Sequence, residues 1–194
     1  MTSNMSFAAF DVETANPKYG SICSIGISIV RNGKRGATYS WLCRPPAPVD
    51  TFAPVNVSIH KITPAMVAGQ PTFAQRWPEV LATIGDLPVV AHNARFDMNA
   101  VGQACEHSLL PLPTWQYGCT RIWAEQQLPL PKYKLETVAA ALGVELKNHH
   151  DAGADAAAAA DIAVRLAKLA GANDLAELAQ ATGTRLTRLG KAQR

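Results

Sequence analysis

The pattern of apolar and polar residues at the start of the chain predicts an antiparallel β-meander. Residues 7–14 and 22–30 are rich in β-branched and aromatic residues, as strands usually are. Asn32-Gly33 then marks a hairpin turn into a third strand near residues 37–43. Three consecutive strands joined by short turns are therefore expected here.

After residue 43, segments with helical periodicity alternate with short apolar strands. Thr63 and Pro64 fit the cap and first residue of a helix, Asn93 fits an N-cap, and Gly143 fits a C-terminal stop. Further helices are predicted at 73–84, 94–106, 120–126, 135–142, 152–170 and 174–180, and strands at 87–92 and 115–119. Strands first, and then strands alternating with helices, predict an α/β fold with a mixed sheet.

Composition and charge indicate one main domain with a basic end. The chain has 194 residues, of which 48% are hydrophobic and 17% charged, and this suits a single packed core. The main domain is predicted over residues 1–171, followed by a short helical and basic extension over 172–194. Its last ten residues hold four cations and no acid: Arg185, Arg188, Lys191 and Arg194. Such a tail can reach nucleic acid or another acidic partner, or it can be an ordinary solvated terminus.

Cysteine spacing and hydropathy favour a cytoplasmic protein. No Cys-x-x-Cys motif is present and the cysteines lack the close spacing of a disulfide scaffold, so reduced thiols are expected. The N-terminal sequence has no basic segment followed by an apolar one, and no apolar run approaches the roughly 20 residues of a membrane span. We therefore expect no membrane partner.

Two carboxylates, Asp11 and Glu13, occupy alternate positions of the first predicted strand. Side chains two apart share one face of a strand, with Cα atoms about 6.5 to 7 Å apart. Two buried like charges are costly, and they raise the pKa of at least one partner unless a cation intervenes. The pair therefore indicates a cation site.

Asp155 is a further carboxylate with an unusual position, on the apolar face of the last long predicted helix. At about 100° per residue, Ile162, Leu166 and Leu169 fall within about 40° of Asp155, whereas Asp161 faces outward. An acid on a buried face needs a hydrogen-bonding partner, an ion pair or a metal. For one such residue, a capped structural carboxylate is the ordinary alternative.

Four other polar residues are weak signals when each is taken alone. Asp97 lies in the first turns of a predicted helix, where an acid complements the helix dipole. His92 at a strand end is more often a hydrogen-bonded structural residue than a catalytic one. His149 and His150 precede the last long helix, and His150 stands five residues before Asp155, where an imidazole can take a proton near neutral pH.

Together these residues resemble the three motifs of the DEDDh branch of the DnaQ-like 3′–5′ exonuclease superfamily, to which the proofreading epsilon subunit of bacterial DNA polymerase III belongs. The motifs are Asp11-x-Glu13, residues 92–97 and residues 150–155. The resemblance runs from about residue 6 to residue 169 and includes residues 59–63, which are similar to the family's I-H-G-I-T. The sister branch has tyrosine four residues before the last acid, where this chain has Asp151. The histidine branch is therefore favoured.

The resemblance implies a ribonuclease H-like fold, with a five-stranded mixed sheet flanked by helices. It implies His150 as general base, and Thr14 and Phe96 at the terminal nucleotide, although Phe96 could equally be a core aromatic. It also implies two divalent cations, Mg²⁺ or Mn²⁺, held by four carboxylates: Asp11, Glu13, Asp97 and Asp155.

The predicted activity is the release of nucleoside 5′-monophosphates from 3′ ends of single-stranded or frayed DNA. Such an activity suits proofreading or repair, with a DNA polymerase or replicase subunit as partner. A 3′–5′ exoribonuclease of the oligoribonuclease or ribonuclease T type stays open, because the motif residues do not distinguish the 2′-hydroxyl of RNA. A non-catalytic module that docks to nucleic acid or a replicase is the less favoured alternative.

Overall fold

The computed structural model describes residues 4–190 and confirms the α/β class, with one mixed sheet flanked by helices. The strands are β1 (Phe7–Thr14), β2 (Ile22–Arg31), β3 (Lys34–Leu42), β4 (Val89–Ala91), β5 (Gln116–Cys119) and β6 (Thr187–Arg188). Their order in the sheet is β3-β2-β1-β4-β5-β6. The first three strands form the predicted antiparallel meander, and β4 and β5 continue the sheet in parallel with β1.

Most of the helices within residues 4–190 agree with the predicted ranges. They are α1 (Pro54–His60), α2 (Pro64–Val67), α3 (Phe73–Ile84), α4 (Ala94–His107), α5 (Thr120–Gln127), α6 (Leu135–Ala141), α7 (Ala152–Ala170) and α8 (Leu175–Ala181). Thr63 caps α2 as predicted. Helix α1 was not predicted. Pro54 at its first position is a start signal, but Ala53 before it makes no side-chain cap and its first turn has no acid.

Alternate residues of β1 face two different cores. Phe7 and Ala9 pack with residues of α5 to α8, whereas Ala8 and Phe10 pack with residues of α3 and α4. Both faces of this strand are therefore covered, as is usual for the central strand of an α/β sheet. By the same alternation, Asp11 continues the face that carries Phe7, toward α7.

The predicted inward face of α7 is correct for Asp155, Ile162 and Leu166, which are all buried, but wrong for Leu169, which is 61% exposed. The buried face of α7 is wide and consists largely of alanines. Most of these alanines lie to one side of Asp155 and Leu166, so the centre of the buried face lies to that side. Leu169 lies about a quarter turn from that centre, in the last turn of the helix. Asp161 faces away from the core as predicted, and its Oδ1 is 2.9 Å from Nε of Arg35.

A sixth strand joins the five that were predicted. Residues 187–188, expected in a basic tail, pair antiparallel with β5, with Arg188 opposite Gln116 and Thr187 opposite Tyr117. The rest of the sheet agrees with the expected ribonuclease H-like arrangement. A two-residue strand at a sheet edge has no sequence pattern of its own, since its pairing depends on the strand beside it.

The segment before β6 also packs on the main core. Leu175 and Leu178 of α8 are buried in the same cluster as the alanine face of α7. The predicted division at residue 171 stays a prediction, although residues 175–188 share the sheet and core of the preceding domain. Lys191 and Arg194 of the predicted tail lie outside the described residues.

The cysteines, all within the described part of the chain, are free, as expected. Among residues 4–190, no helix combines the length and the apolar character needed to cross a membrane.

Candidate active site

Four acidic residues from three elements line one cleft of about 190 Å³ at the C-terminal end of β1. Asp11 and Glu13 extend from β1, Asp97 from the first turn of α4 and Asp155 from the first turn of α7. One carboxylate oxygen each of Asp11, Glu13 and Asp155 lie within 4.8 Å of one another. Oδ1 of Asp97 accepts a hydrogen bond from the backbone N–H of Val12 at 3.1 Å. The structure thus brings together all four acids that the sequence predicted.

The lack of a side chain at Gly26 of β2 allows the first turn of α7 to contact the sheet beside β1. Gly26 pairs with Asp11, and a Cβ at Gly26 would lie 1.9 Å from the carbonyl oxygen of Ala152. The side chain of Asp151 caps the helix at the same point. The first turn of α7 therefore rests directly on the strand backbone, and this contact holds Asp155 beside Asp11.

Burial and mutual repulsion strongly perturb these carboxyl groups. Burial raises the pKa of Asp11 well above its usual range, and the neighbouring charges of Asp97 and Glu13 raise it further. Burial is also the main reason that the pKa of Glu13 and that of Asp97 are each raised to about 8. The pKa of Asp155 is raised by burial, and its hydrogen bond with His149 opposes that shift. Without a counter-charge, this cleft disfavours ionised carboxylates.

The donor set suits hard divalent cations. Oδ2 of Asp11 is buried and has no hydrogen-bond partner among the described residues. Buried polar atoms almost always have a partner, so an orphaned carboxylate oxygen beside two further carboxylates indicates a ligand in the cleft. Mg²⁺ and similar cations prefer oxygen ligands of this kind, and a bound cation reverses the effect of like charges on pKa.

Two adjacent histidines lie beside Asp155 in different ways. Their rings stack with centroids 3.8 Å apart. Nδ1 of His149 is 3.0 and 3.1 Å from the two carboxylate oxygens of Asp155, and its Nε2 is 3.4 Å from Glu136. His150 donates its backbone N–H to Asp155 at 3.1 Å, whereas its ring has no hydrogen bond to any described residue. The sequence indicated His150 and missed the contact of His149, since neighbouring positions in a loop do not reveal side-chain direction.

The two predicted nucleotide contacts occupy different positions. Phe96 lines the cleft, and its ring centroid is 5.6 Å from that of Tyr19. Thr14 is only 6% exposed and is not among the residues that line this cleft. Its carbonyl oxygen accepts a hydrogen bond from Nδ2 of Asn56 at 2.9 Å and lies 3.1 Å from Nε2 of His60. Asn56 and His60 both belong to α1. Residues four apart share one face of a helix, so this spacing is the sequence feature that could have indicated a common contact.

His92 and Asn93 lie at the junction of β4 and α4. Both ring nitrogens of His92 are occupied, by Oγ1 of Thr120 at 2.8 Å and the carbonyl of Tyr133 at 2.9 Å, as expected of a structural histidine. Asn93 is the N-cap residue of α4 as predicted, but its side chain makes no capping hydrogen bond. Its backbone is left-handed, with φ of 66°, and its Oδ1 instead accepts a hydrogen bond from Arg121 at 3.4 Å.

Comparison with known proteins agrees with this geometry. Residues 8–163 match the family model described as exonuclease. The chain belongs to this exonuclease family. With the acid set and histidine described above, it carries an exonuclease domain of the DEDDh 3′–5′ type.

A curated relative of the exonuclease is much longer than the exonuclease itself. The PolC-type DNA polymerase III of Clostridium perfringens (strain 13 / Type A) is 30% identical over 169 residues, which are 80% of this chain but 11% of the polymerase. The exonuclease thus corresponds to a small part of that enzyme.

Solved structures confirm the fold of the exonuclease. Exonuclease X, in complex with 5′-overhanging duplex DNA, has a TM-score of 0.72 and 28% identity, over 91% of this chain and 99% of the other. The nuclease domain of 3′hExo, a DEDDh family member bound to rAMP, has a TM-score of 0.74 at 17% identity, over 95% and 96% of the two chains. The mixed sheet flanked by helices is therefore the ribonuclease H-like fold of DEDDh exonucleases.

Proposed function

We propose that this exonuclease hydrolyses single-stranded or frayed DNA from the 3′ end and releases nucleoside 5′-monophosphates. The observation that carries the proposal is the carboxylate cluster of Asp11, Glu13 and Asp155, within 4.8 Å of one another. Hydrolysis of a phosphodiester needs charge stabilisation on both the attacking and the leaving oxygen, and paired divalent cations in carboxylate sites provide it.

The four acids would hold two divalent cations, Mg²⁺ or Mn²⁺. Asp11 would be the ligand shared by both, because its Oδ2 has no hydrogen-bond partner among the described residues and its carboxyl group lies near the charges of Asp97 and Glu13. Glu13 and Asp155 would complete one site, and Asp97 would join directly or through water. When bound, the cations offset the charge of the phosphate and lower the pKa of water.

His150 would serve as general base. Burial and the neighbouring His149 lower the pKa of its imidazole, which therefore stays neutral near pH 7. A neutral ring without a hydrogen bond to the described chain can accept the proton of the attacking water. Its left-handed backbone, with φ of 73°, belongs to the loop that leads into α7.

The terminal nucleotide would contact Phe96 and the end of β1. An aromatic ring in the cleft can stack on a base or sugar without sequence preference. Because the Thr14 side chain is buried, we assign Thr14 a role through the backbone segment that Asn56 and His60 hold in place.

DNA is the favoured polymer, and the similarity to a DNA polymerase and to Exonuclease X supports this choice. A proofreading or repair role beside a polymerase is the corresponding biological proposal. A DNA polymerase would be the partner in such a role, and the similarity to part of a polymerase supports this choice.

The test is the shortening of a 5′-labelled single strand in the presence of Mg²⁺ or Mn²⁺. We expect progressive loss of nucleotides from the 3′ end with mononucleotides as product. Asp11→Ala should reduce the rate about a thousandfold or more, since several kcal/mol of charge stabilisation depends on the metal site. The control Asp161→Ala removes an acid of α7 outside the cleft and should keep the activity. Undiminished activity of Asp11→Ala would refute the proposal.

Matched DNA and RNA strands in the same assay determine the polymer. A preference for RNA of about tenfold or more would replace the DNA proposal with an exoribonuclease, since contacts to the 2′-hydroxyl distinguish the two polymers. Binding of DNA without shortening of either strand would instead support the docking module.

A further inference from the structure

We propose that a second groove, beside the catalytic cleft, binds the phosphate backbone of the substrate strand upstream of its terminal nucleotide. This inference rests on the proposed nuclease function. The groove has a volume of about 640 Å³ and lies between the first turn of α4, the β5–α5 junction and residues 184–190. We call it the arginine groove, after four of its lining residues: Arg95, Arg121, Arg185 and Arg188.

The charge of the arginine groove is largely uncompensated. All four arginines are exposed, and Glu125 is the only acid among the lining residues. Oε1 of Glu125 lies 3.0 Å from Nε of Arg121. Within residues 4–190, the other three arginines form no ion pair, so their guanidinium groups are available to a ligand. Guanidinium groups present forked donors that match phosphate oxygens.

The C-terminal segment is fixed in place, unlike a free tail. Residues 187–188 pair with β5, and the backbone N–H of Leu189 donates to the carbonyl of Trp115 at 2.9 Å. Nε1 of Trp123 donates to Oγ1 of Thr184 at 3.1 Å. Arg185 and Arg188 are therefore held by ordered backbone, and little backbone entropy is lost when they bind a ligand.

The arginine groove borders the catalytic cleft. Asn93 lines both, and Arg95 stands only two residues before Asp97 on α4. Arg121 extends from α5 to donate to Oδ1 of Asn93 at the junction of the two. A strand whose 3′ end lies among the carboxylates can continue past Asn93 into the groove. A polyanion that follows a positively charged groove is the general mode of single-strand binding.

The test measures the KM and Kd of the full chain for a long and a short substrate strand. Arg185→Gln/Arg188→Gln should raise KM and the binding Kd about tenfold for a strand of about twelve nucleotides, and leave a trinucleotide unaffected. The slope of log Kd against log salt should fall by about 0.7 for each lost contact. The control Arg165→Gln/Lys168→Gln removes the same charge from exposed positions of α7 and should change neither quantity.

Arg95→Gln serves as a second variant, because it lies on α4 and cannot disturb the pairing of β6. This variant should also raise the Kd for the long strand. Unchanged Kd and salt slope in both arginine variants would overturn the inference. The inference would also be overturned if affinity for the long strand fell only in Lys132→Gln/Lys134→Gln, which alters the neighbouring surface beside Tyr133.

Binding of a labelled strand, measured by fluorescence anisotropy in EDTA, separates this inference from the proposed function. If the wild-type chain shortens no strand, the nuclease proposal fails. The affinities of the wild-type chain and its variants still test the groove in that case. If the wild-type chain is active and its affinity is independent of these arginines, only the groove fails.

Discussion

At the scale of single residues, the adjacent histidines His149 and His150 should have separable effects. His150→Ala should lower kcat by about 10²- to 10⁴-fold, the usual contribution of a general base. His149→Ala removes the hydrogen bond to Asp155 and should mainly raise the Mg²⁺ concentration needed for half-maximal activity, because Asp155 is then less well oriented. Initial rates over a Mg²⁺ titration measure both effects.

The opposite result would exchange the two roles. If His149→Ala lost more activity than His150→Ala at saturating Mg²⁺, the ring in contact with Asp155 would be the better candidate for the base. Circular dichroism of both variants controls for folding, and the loop position of both residues predicts little change there.

Individual residues of the site differ in how far the sequence reveals them. Asp11 and Glu13 were predictable because a period of two places both on one face, and Asp155 because helical periodicity points it inward. The buried hydroxyl of Thr14 and the uncapped conformation of Asn93 were not predictable. Both depend on partners distant in sequence, Asn56 and Arg121 respectively.

At the scale of elements, the contact between β2 and α7 determines the geometry of the site. Gly26→Ala should push the first turn of α7 away from the strand, since the new Cβ would lie 1.9 Å from a backbone oxygen. Because Asp155 moves with that turn, kcat/KM should fall about a hundredfold, the cost of a misplacement near 1 Å. Steady-state kinetics with a single-stranded substrate measure this loss.

Gly36→Ala on β3 is the matched control for this prediction. A Cβ at Gly36 would meet its nearest neighbour, the carbonyl oxygen of Ile29, at an ordinary 3.7 Å. Activity should therefore be unchanged. Equal activity of the Gly26 and Gly36 variants would show that α7 tolerates displacement and that its close approach does not determine catalysis.

Long elements were more predictable than short ones. Helix α7 has the predicted bounds because alanine-rich periodicity continues over its whole length. Helix α1 and strand β6 were missed, since α1 has no side-chain cap at its N-terminus and β6 is a two-residue edge pairing. The burial of Leu169 was predicted wrongly because the angular position of a residue on a helix does not show how far around the helix the core extends.

At the scale of the whole molecule, the C-terminal segment should unfold together with the catalytic domain. Leu178→Ala should cost about 2 to 5 kcal/mol in the free energy of unfolding, because its side chain is fully buried in the core that α7 shares. Leu169→Ala, the same change on an exposed side chain, should cost within about 0.5 kcal/mol. Chemical denaturation followed by circular dichroism measures both. A separate early transition in Leu178→Ala would show that α8 unfolds independently.

The stability of the whole molecule should depend on pH in a way that divalent metal reverses. Without metal, folding raises the pKa of Glu13 from 4.5 and of Asp97 from 3.8, each to about 8. The folded state therefore binds more protons than the unfolded state between these values. The stability from these two groups is fully present below about pH 4 and is lost as pH rises through about 8.

Cations that bind the ionised carboxylates should remove this loss, because they stabilise the folded state by mass action. The gain in Tm between EDTA and saturating Mg²⁺ should therefore grow as pH rises from about 5 to 8. Differential scanning fluorimetry over that range measures the gain, and Asp11→Asn should reduce it, because one of the clustered carboxylates is lost. A gain independent of pH, or a Tm indifferent to Mg²⁺ at concentrations that support turnover, would contradict the coupling of these carboxylates to metal. It would leave the cleft with a charge repulsion that no ligand relieves.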